Sequence, residues 1–263
     1  MLKRICALLA AAVAGSAMAA SDDVFTLGTG VDYSSGTYGS SQSTDILYVP
    51  FIAKYETGPW TLRATVPWIR ITGPGNVVGA GADRVVLSEA NAPRRTASGL
   101  GDIVLSGFYT VLGDMSVLAD RSNAPIGLDL GAKVKLGTAD EKQGLGTGKN
   151  DYSLQADAYK TFGAWTAFGT LGYRWYGDPA GVDLKNVFYG SLGATYRFSR
   201  DASAGVAYDS RPKISPNGGA ISELTAFYTW RATRDVKIQP YLVKGFSTGS
   251  PDYGVGLLGY LAF

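Results

Sequence analysis

The chain has no histidine, and its single cysteine, Cys6, lies in an apolar run near the amino terminus. Without histidine a Ser–His–Asp relay cannot be built, and no imidazole is available to a metal. One cysteine excludes an intrachain disulfide and any thiolate cluster. A carboxylate-only mechanism has no motif behind it, so these absences argue against an enzyme and imply no cofactor. An excess of one charge is also missing. Lys and Arg number 24 against 22 Asp and Glu, and Lys3 and Arg4 account for the difference. A nucleic-acid partner would call for a clustered basic surplus, so none is expected. Past the first twenty residues there is no apolar run near the roughly 20 residues of a spanning helix, and no helical periodicity.

Glycine is abundant, at 35 residues, and aromatics make up 12%, with no Pro/Ser-rich low-complexity tract. The opening "MLKRICALLAAAVAGSAMAA" combines two cations, an apolar run and small residues ending in Ala17-Met18-Ala19. That is the plan of a secretory signal. Residues 1–19 are therefore read as a cleaved signal peptide and 20–263 as one domain. An uncleaved anchor is the alternative, and the run is short for it.

The rest alternates apolar and polar side chains over segments of about ten to thirteen residues, the mark of half-buried strands. "WTAFGTLGYRWY" places Trp165, Ala167, Gly169, Leu171, Tyr173 and Trp175 on one face and Thr166, Phe168, Thr170, Gly172, Arg174 and Tyr176 on the other. Large rings stand at the ends of the apolar face and small or aliphatic residues in its middle. A soluble sandwich would put its bulk in the middle, whereas a bilayer favours rings at both rims of an apolar band.

About twelve such segments are expected, at 24–34, 44–56, 60–71, 100–112, 125–137, 150–162, 164–176, 185–198, 202–213, 220–232, 236–246 and 252–263. Tight turns such as "ETGP" and "SRD" alternate with longer loops, and only 113–124 breaks the pattern. In 236–246, Lys244 shares parity with Ile238 and Leu242, so Pro240 and Gly245 are read as marking a bulge. The last strand ends on Phe263, with Tyr253, Val255, Leu257 and Leu261 on the same face. Tyr253, Leu261 and Phe263 fit an assembly signal for the barrel-assembly machinery. The fold expected is all-β, a transmembrane antiparallel up-and-down barrel of about 12 strands, in the outer membrane of a Gram-negative bacterium. Both termini would be periplasmic, with outer-membrane lipid and lipopolysaccharide as surroundings. A soluble secreted β-sandwich fits the rim aromatics and terminal strand poorly.

Strand parity assigns Arg63, Asp102, Asp129, Lys133, Lys135, Asp157, Arg174, Arg197, Asp209, Arg211, Glu223 and Arg231 to the inward face. They either pair with one another and fill the lumen or line a selective polar path. The inward rings Phe108, Tyr159, Phe168, Tyr189 and Phe227 either contact aromatic solutes or pack. The longest loop, 73–99, carries Val77-Val78 and Val85-Val86-Leu87, apolar runs poorly suited to open water. Folding into the mouth would bury them and bring Arg84, Glu89, Arg94 and Arg95 to the entrance; packing on the rim or on a partner is the alternative. "GLGTGK" (144–149) lacks the spacing and strand-to-helix setting of a phosphate loop and is read as an extracellular loop whose glycines allow a tight path. Asp140, Glu141, Asp151, Asp178 and Asp183 are read as solvated loop acids.

The blocks "SGLGDIVLSGFY" (98–109), "KLGTADEKQGLGTGKNDYSL" (135–154), "GYRWYGDPAGVDLKN" (172–186) and "KGFSTGSPDYGVGLLGYLAF" (244–263) resemble the outer-membrane transporter family associated with the phenol meta-cleavage (MetA) degradation pathway. The resemblance implies a barrel admitting small aromatic or other hydrophobic molecules, and it brings no catalytic or ligand residues. Passage of small solutes through a passive channel is the expected function, with a non-conducting structural or surface-interaction barrel as the alternative.

Overall fold

The computed structural model describes residues 23–87, 93–113 and 126–263. The expected signal segment and Glu89 lie outside these residues, as does most of 113–124. The wall is built from β1 (Val24–Gly36), β2 (Thr44–Thr57), β3 (Trp60–Gly73), β6 (Arg95–Leu100), β7 (Ile103–Leu112), β8 (Gly127–Leu136), β9 (Asp151–Phe162) and β10 (Trp165–Trp175). It continues through β11 (Val187–Arg197), β12 (Ala202–Arg211), β13 (Ile221–Arg231), β14 (Val236–Gly245) and β15 (Tyr253–Ala262). A two-strand ribbon, β4 (Val77–Val78) and β5 (Val85–Val86), lies in the connection after β3. With β6 and β7 counted as one strand, each wall strand pairs antiparallel with the wall strands before and after it, and β1 pairs with both β2 and β15, so the sheet closes. Because β6 and β7 lie end to end against β3, the wall is a 12-stranded barrel.

The junction of β6 and β7 is a bulge. Trp68 faces Leu100, but Thr65 faces Val104, so one extra residue has entered at Gly101–Asp102. Such an insertion exchanges the two faces: Leu100 and Leu105 both point outward, and Asp102 turns inward to meet Lys135. The fourth strand thus begins at Arg95, earlier than the expected 100, as "RTASGL" prolongs the ladder beyond the apolar band. The bulge expected at 236–246 is absent. Phe227↔Tyr241 and Trp230↔Ile238 keep one register on both sides of Pro240. Proline has no N–H to give and omits a ladder bond without shifting the strand. Lys244 accordingly points outward, and its Nζ donates to the Asp252 carbonyl at 2.9 Å.

Tight turns at Gly58–Pro59 and Gly163–Ala164 and short ones at 198–201 and 232–235 fall at one end of the barrel; the connections at the other end are longer. On the outer face, Leu171, Leu192, Val206, Leu242 and Val255 are exposed between two belts of rings. Trp60–Tyr109 and Trp165–Tyr196 mark the short-turn end, and Tyr173–Phe188 and Tyr33–Tyr253 the long-loop end. In water this surface would be an aggregation liability; around a bilayer it is the band and its two girdles.

The inner face follows a different rule. Phe108, Tyr159, Phe168, Tyr189, Phe227, Tyr241 and Tyr260 each stand directly opposite a glycine on the adjacent strand: Gly131, Gly127, Gly193, Gly172, Gly205, Gly256 and Gly28. Each ring lies over its glycine so closely that a Cβ there would collide with it, at 2.7 Å for Gly205 and Phe227. The rings therefore lie along the wall rather than across the lumen. Gly131→Val and Gly193→Val should each lower stability by about 1–3 kcal/mol, the cost of forcing packed side chains aside. Gly259→Ala, whose added Cβ meets nothing nearer than 3.9 Å, should stay within about 0.5 kcal/mol of the parent. Urea unfolding in micelles reads both.

Candidate functional site

The connection from β3 to β6 enters the mouth at the long-loop end. Its valines are almost wholly buried, Val77 at 2% and Val85 at 1% exposure. Val77 and Val86 pack with Tyr38, Ile46, Ile69, Ile71 and Leu145, while Val78 and Val85 pack with Tyr176, Leu184, Val187 and Ile214. The first group belongs to the wall and loops near β2 and β3, and the second to those near β10–β12. The loop thus bridges different sectors of the wall. Gly79 and Gly81 take φ of +74° and +56°, a region that favours glycine, around the short turn Gly81–Asp83 between the two ribbon strands. Asn76, fully buried, accepts from Thr44 Oγ1 at 3.0 Å and donates to the Thr37 carbonyl at 3.3 Å.

Arginines lock the tip in place. Arg84 pairs with Glu223 of β13, and its Nε donates to the Gly249 carbonyl at 3.2 Å. Arg174 of β10 donates to Asp83 at 2.7 Å and to Asp151 at 2.8 Å. Arg211 of β12 donates to Tyr176 Oη at 3.0 Å and to the Ala82 and Arg84 carbonyls at 3.4 and 3.3 Å. Lys135 joins Asp102 and Asp151 at 3.0 and 3.3 Å. Burial alone would push the Asp83 carboxyl up, but the Arg174 guanidinium beside it holds it below its ordinary value of 3.8. Burial pushes Arg84 down, with Arg211 adding repulsion.

Of the residues expected inward, Asp102, Lys135, Arg174, Arg211 and Glu223 gather around this loop. Lys133 and Asp209 line a cavity of about 480 Å³ beneath it, together with Asp83, Arg84 and Tyr241. Asp157, Arg197 and Arg231 line a second cavity of about 530 Å³ toward the short turns. Asp129 stands opposite Asp157 across β8–β9, and Arg63 opposite Lys54 across β2–β3. The loop candidates separate. Arg84 is buried in the mouth, Arg94 is tied at the rim to Asp45 at 2.5 Å, and Arg95 opens β6, exposed. Asp151, read as a loop acid, instead opens β9 and is 2% exposed, because it shares the inward parity of Ser153, Gln155 and Asp157. That parity was the signal for it. Asp83, Lys237 and the Lys54–Glu56 ion pair at 2.5 Å were not picked out from the sequence.

Breaking a buried ion pair costs about 3–5 kcal/mol, so Arg84→Ala should loosen the loop tip, and Asp83→Asn, whose carboxylate is a third exposed, should loosen it less. Limited proteolysis should show faster cleavage within 77–86 while the wall stays intact. Because the native Asp83 value is depressed, its contribution is full above 3.8 and is lost only as pH falls through the lower native value. The parent loop should therefore resist acid protease down to about that pH, and Asp83→Asn should lose the protection at all pH values.

No curated protein matches this sequence. Among solved structures, the fold is similar to a KdgM porin, at 11% identity over 89% of this chain and 97% of that one, TM-score 0.46. It is similar to the CymD monoaromatic hydrocarbon channel, at 10% identity over 93% and 88%, TM-score 0.42. The toluene transporter TodX of P. putida matches at 12% identity over 92% and 90%, TM-score 0.41. None of the three bears on which solute this chain handles. A family model described as "Putative MetA-pathway of phenol degradation" matches residues 19–219, more than half of the chain, and the protein belongs to that family.

Proposed function

We propose that the chain is a passive outer-membrane channel for small solutes, without catalysis or energy input. The observation that carries this reading is the open, charged volume in the lumen below the loop. Inward rings lie flat on cross-strand glycines, and charged cavities of about 480 and 530 Å³ occupy the lumen below the loop. A barrel filled by its own side chains would need those rings to cross the lumen. The family description points to aromatic or other hydrophobic compounds as the solutes. Short turns and both termini face the periplasm in this reading, with lipid and lipopolysaccharide around the band. The exposed Tyr253, Leu261 and Phe263 of the closing strand present the signal to the assembly machinery. The 74–94 loop, with Arg84 at its tip, is the filter, and Arg174, Arg211 and Glu223 hold it.

One set of observations favours the second reading, a non-conducting structural barrel: the mouth charges are paired and the loop is buried. Planar-bilayer recording separates the two. The refolded, signal-free protein should give small discrete current steps. A variant with 77–86 replaced by a short Gly-Ser linker should give steps several-fold larger. Silence from the parent with large steps from the variant would favour the plugged barrel, and silence from both would sink the channel.

A further inference from the structure

The outer face carries little charge, and what it carries is placed unevenly. Among the described strands, the charged residues of outward parity are Asp45, Arg70, Lys160 and Lys244. Lys160 stands near the short turns, its Nζ over the Phe162 ring at 5.8 Å. The others belong to the long-loop end, where Lys244 is engaged with the Asp252 carbonyl and Arg94 joins them from the residue before β6. There β2, β3 and β6 change character together. One cross-strand row on the outer face is Val49–Trp68–Leu100, the next is Leu47–Arg70–Ser98, and the last is Asp45–Thr72–Thr96. The apolar band thus ends on the row that holds Arg70, where a bilayer gives way to headgroups. Asp45 is the acid of this patch, and its oxygens are taken. Oδ1 accepts from Ser35 and Tyr33 at 2.7 and 3.2 Å, and Oδ2 accepts from Arg94 at 2.5 Å. Arg94 balances that charge. Arg70 is exposed and, among the described residues, makes no ion pair or hydrogen bond. Beside it, Thr72 Oγ1 and Thr96 Oγ1 lie 2.9 Å apart. One of these hydroxyls donates to the other, and the second keeps its proton for a ligand.

We propose that this edge docks lipopolysaccharide, with a phosphate of its lipid A on Arg70 and the Thr72–Thr96 pair. The acyl chains lie against Leu47, Val49, Trp68 and Leu100. A guanidinium holds phosphate through paired, charge-assisted hydrogen bonds. A lipid suits the place better than a free anion, because the donors stand at the edge of an apolar surface that an anion would leave uncovered. The choice of lipid rests on the outward placement of the long loops in the channel reading; it does not depend on conduction.

Native mass spectrometry of the refolded, signal-free barrel in micelles tests it. The probes are diphosphoryl lipid A, the same lipid with both phosphates removed, and inorganic phosphate as competitor. The parent should retain the phosphorylated lipid about tenfold more strongly than the dephosphorylated one, and excess inorganic phosphate should not displace it. Arg70→Gln should lose most of that preference at an unchanged urea midpoint, because the side chain is exposed and unpaired. Arg70→Lys should recover part of it, and Lys160→Gln should behave as the parent. Equal retention of the two lipids by the parent overturns the proposal, as does a preference that survives Arg70→Gln. Displacement by inorganic phosphate overturns the lipid as occupant and leaves a simple anion site. Orientation is read separately. Residues 20–263 contain no cysteine, so Lys142→Cys, in the exposed loop between β8 and β9, reports to an impermeant maleimide on intact cells. Labelling without a lipid preference sinks the docking site and leaves the orientation standing. A lipid preference without labelling overturns the outward orientation, and lipopolysaccharide as the natural occupant with it.

Discussion

Closure of the sheet is the constraint on which everything else in this protein depends. Inside a bilayer each unpaired backbone group costs several kcal/mol, so a spanning sheet must have no edge. The β1–β15 ladder, running from Thr26↔Ala262 to Ser35↔Tyr253, provides that seal. Once the ring is shut, parity decides the environment of every side chain, lipid for one set and lumen for the other. A single residue too many exchanges the two sets. The chain does this at Gly101–Asp102, where the Gly101 N–H still finds the Pro67 carbonyl at 2.9 Å, and the register against β8 shifts again between Thr110 and Leu112. The exchange brings Asp102 inward to Lys135, while apolar leucines remain outside on both sides of the bulge.

Closure also creates a volume that must be either filled or kept clear. Glycine settles this. Opposite seven inward rings the wall has no Cβ, and each ring lies down on the bare backbone. Seven of the 35 glycines and seven of the aromatic residues are thereby explained together. Where the lumen is crossed, it is crossed by a loop, whose valines replace wall side chains as the filling of the mouth. Charge follows the same division. At the mouth, cations and acids meet within 2.7–3.3 Å across distant segments. Toward the short turns, cations and acids of several strands line a second cavity.

The wall was legible in the sequence because its signals are local. Period-two alternation and the turn residues placed the strands within a few positions. Exceptions have physical reasons. "RTASGL" extends the ladder without an apolar face to announce it, and Pro240 breaks a bond without breaking register. Two runs of valine that water would not favour announced burial of the loop but left entry into the mouth and packing on the rim or a partner as alternatives. What that loop meets could not be read, since Arg174 and Asp83 are 91 residues apart and converge only when the barrel closes. Glycine's role was hidden for the same reason. Which glycine lies beneath which ring is a matter of register between strands, and composition carries no register.

The loop and the wall arginines form one electrostatic unit, and this bears on how the mouth can open. Arg174 and Arg211 are satisfied partly by the loop itself, through Asp83 and the carbonyls of Ala82 and Arg84. Arg174 keeps Asp151 of the neighbouring strand whether the loop is present or not. If the tip withdraws, the wall groups pass from the loop's oxygens to water entering the lumen. The apolar clusters behind the tip resist complete release, because Val77 and Val85 would then be exposed at about 25 cal/mol for each Å². Polar contacts of Ala82 and Asp83 that water can replace, combined with apolar anchors and a buried Arg84–Glu223 pair that it cannot, confine any displacement to the turn Gly81–Asp83. The wall ladder takes no part in such a movement, so the aperture can change while the seal against lipid stays whole.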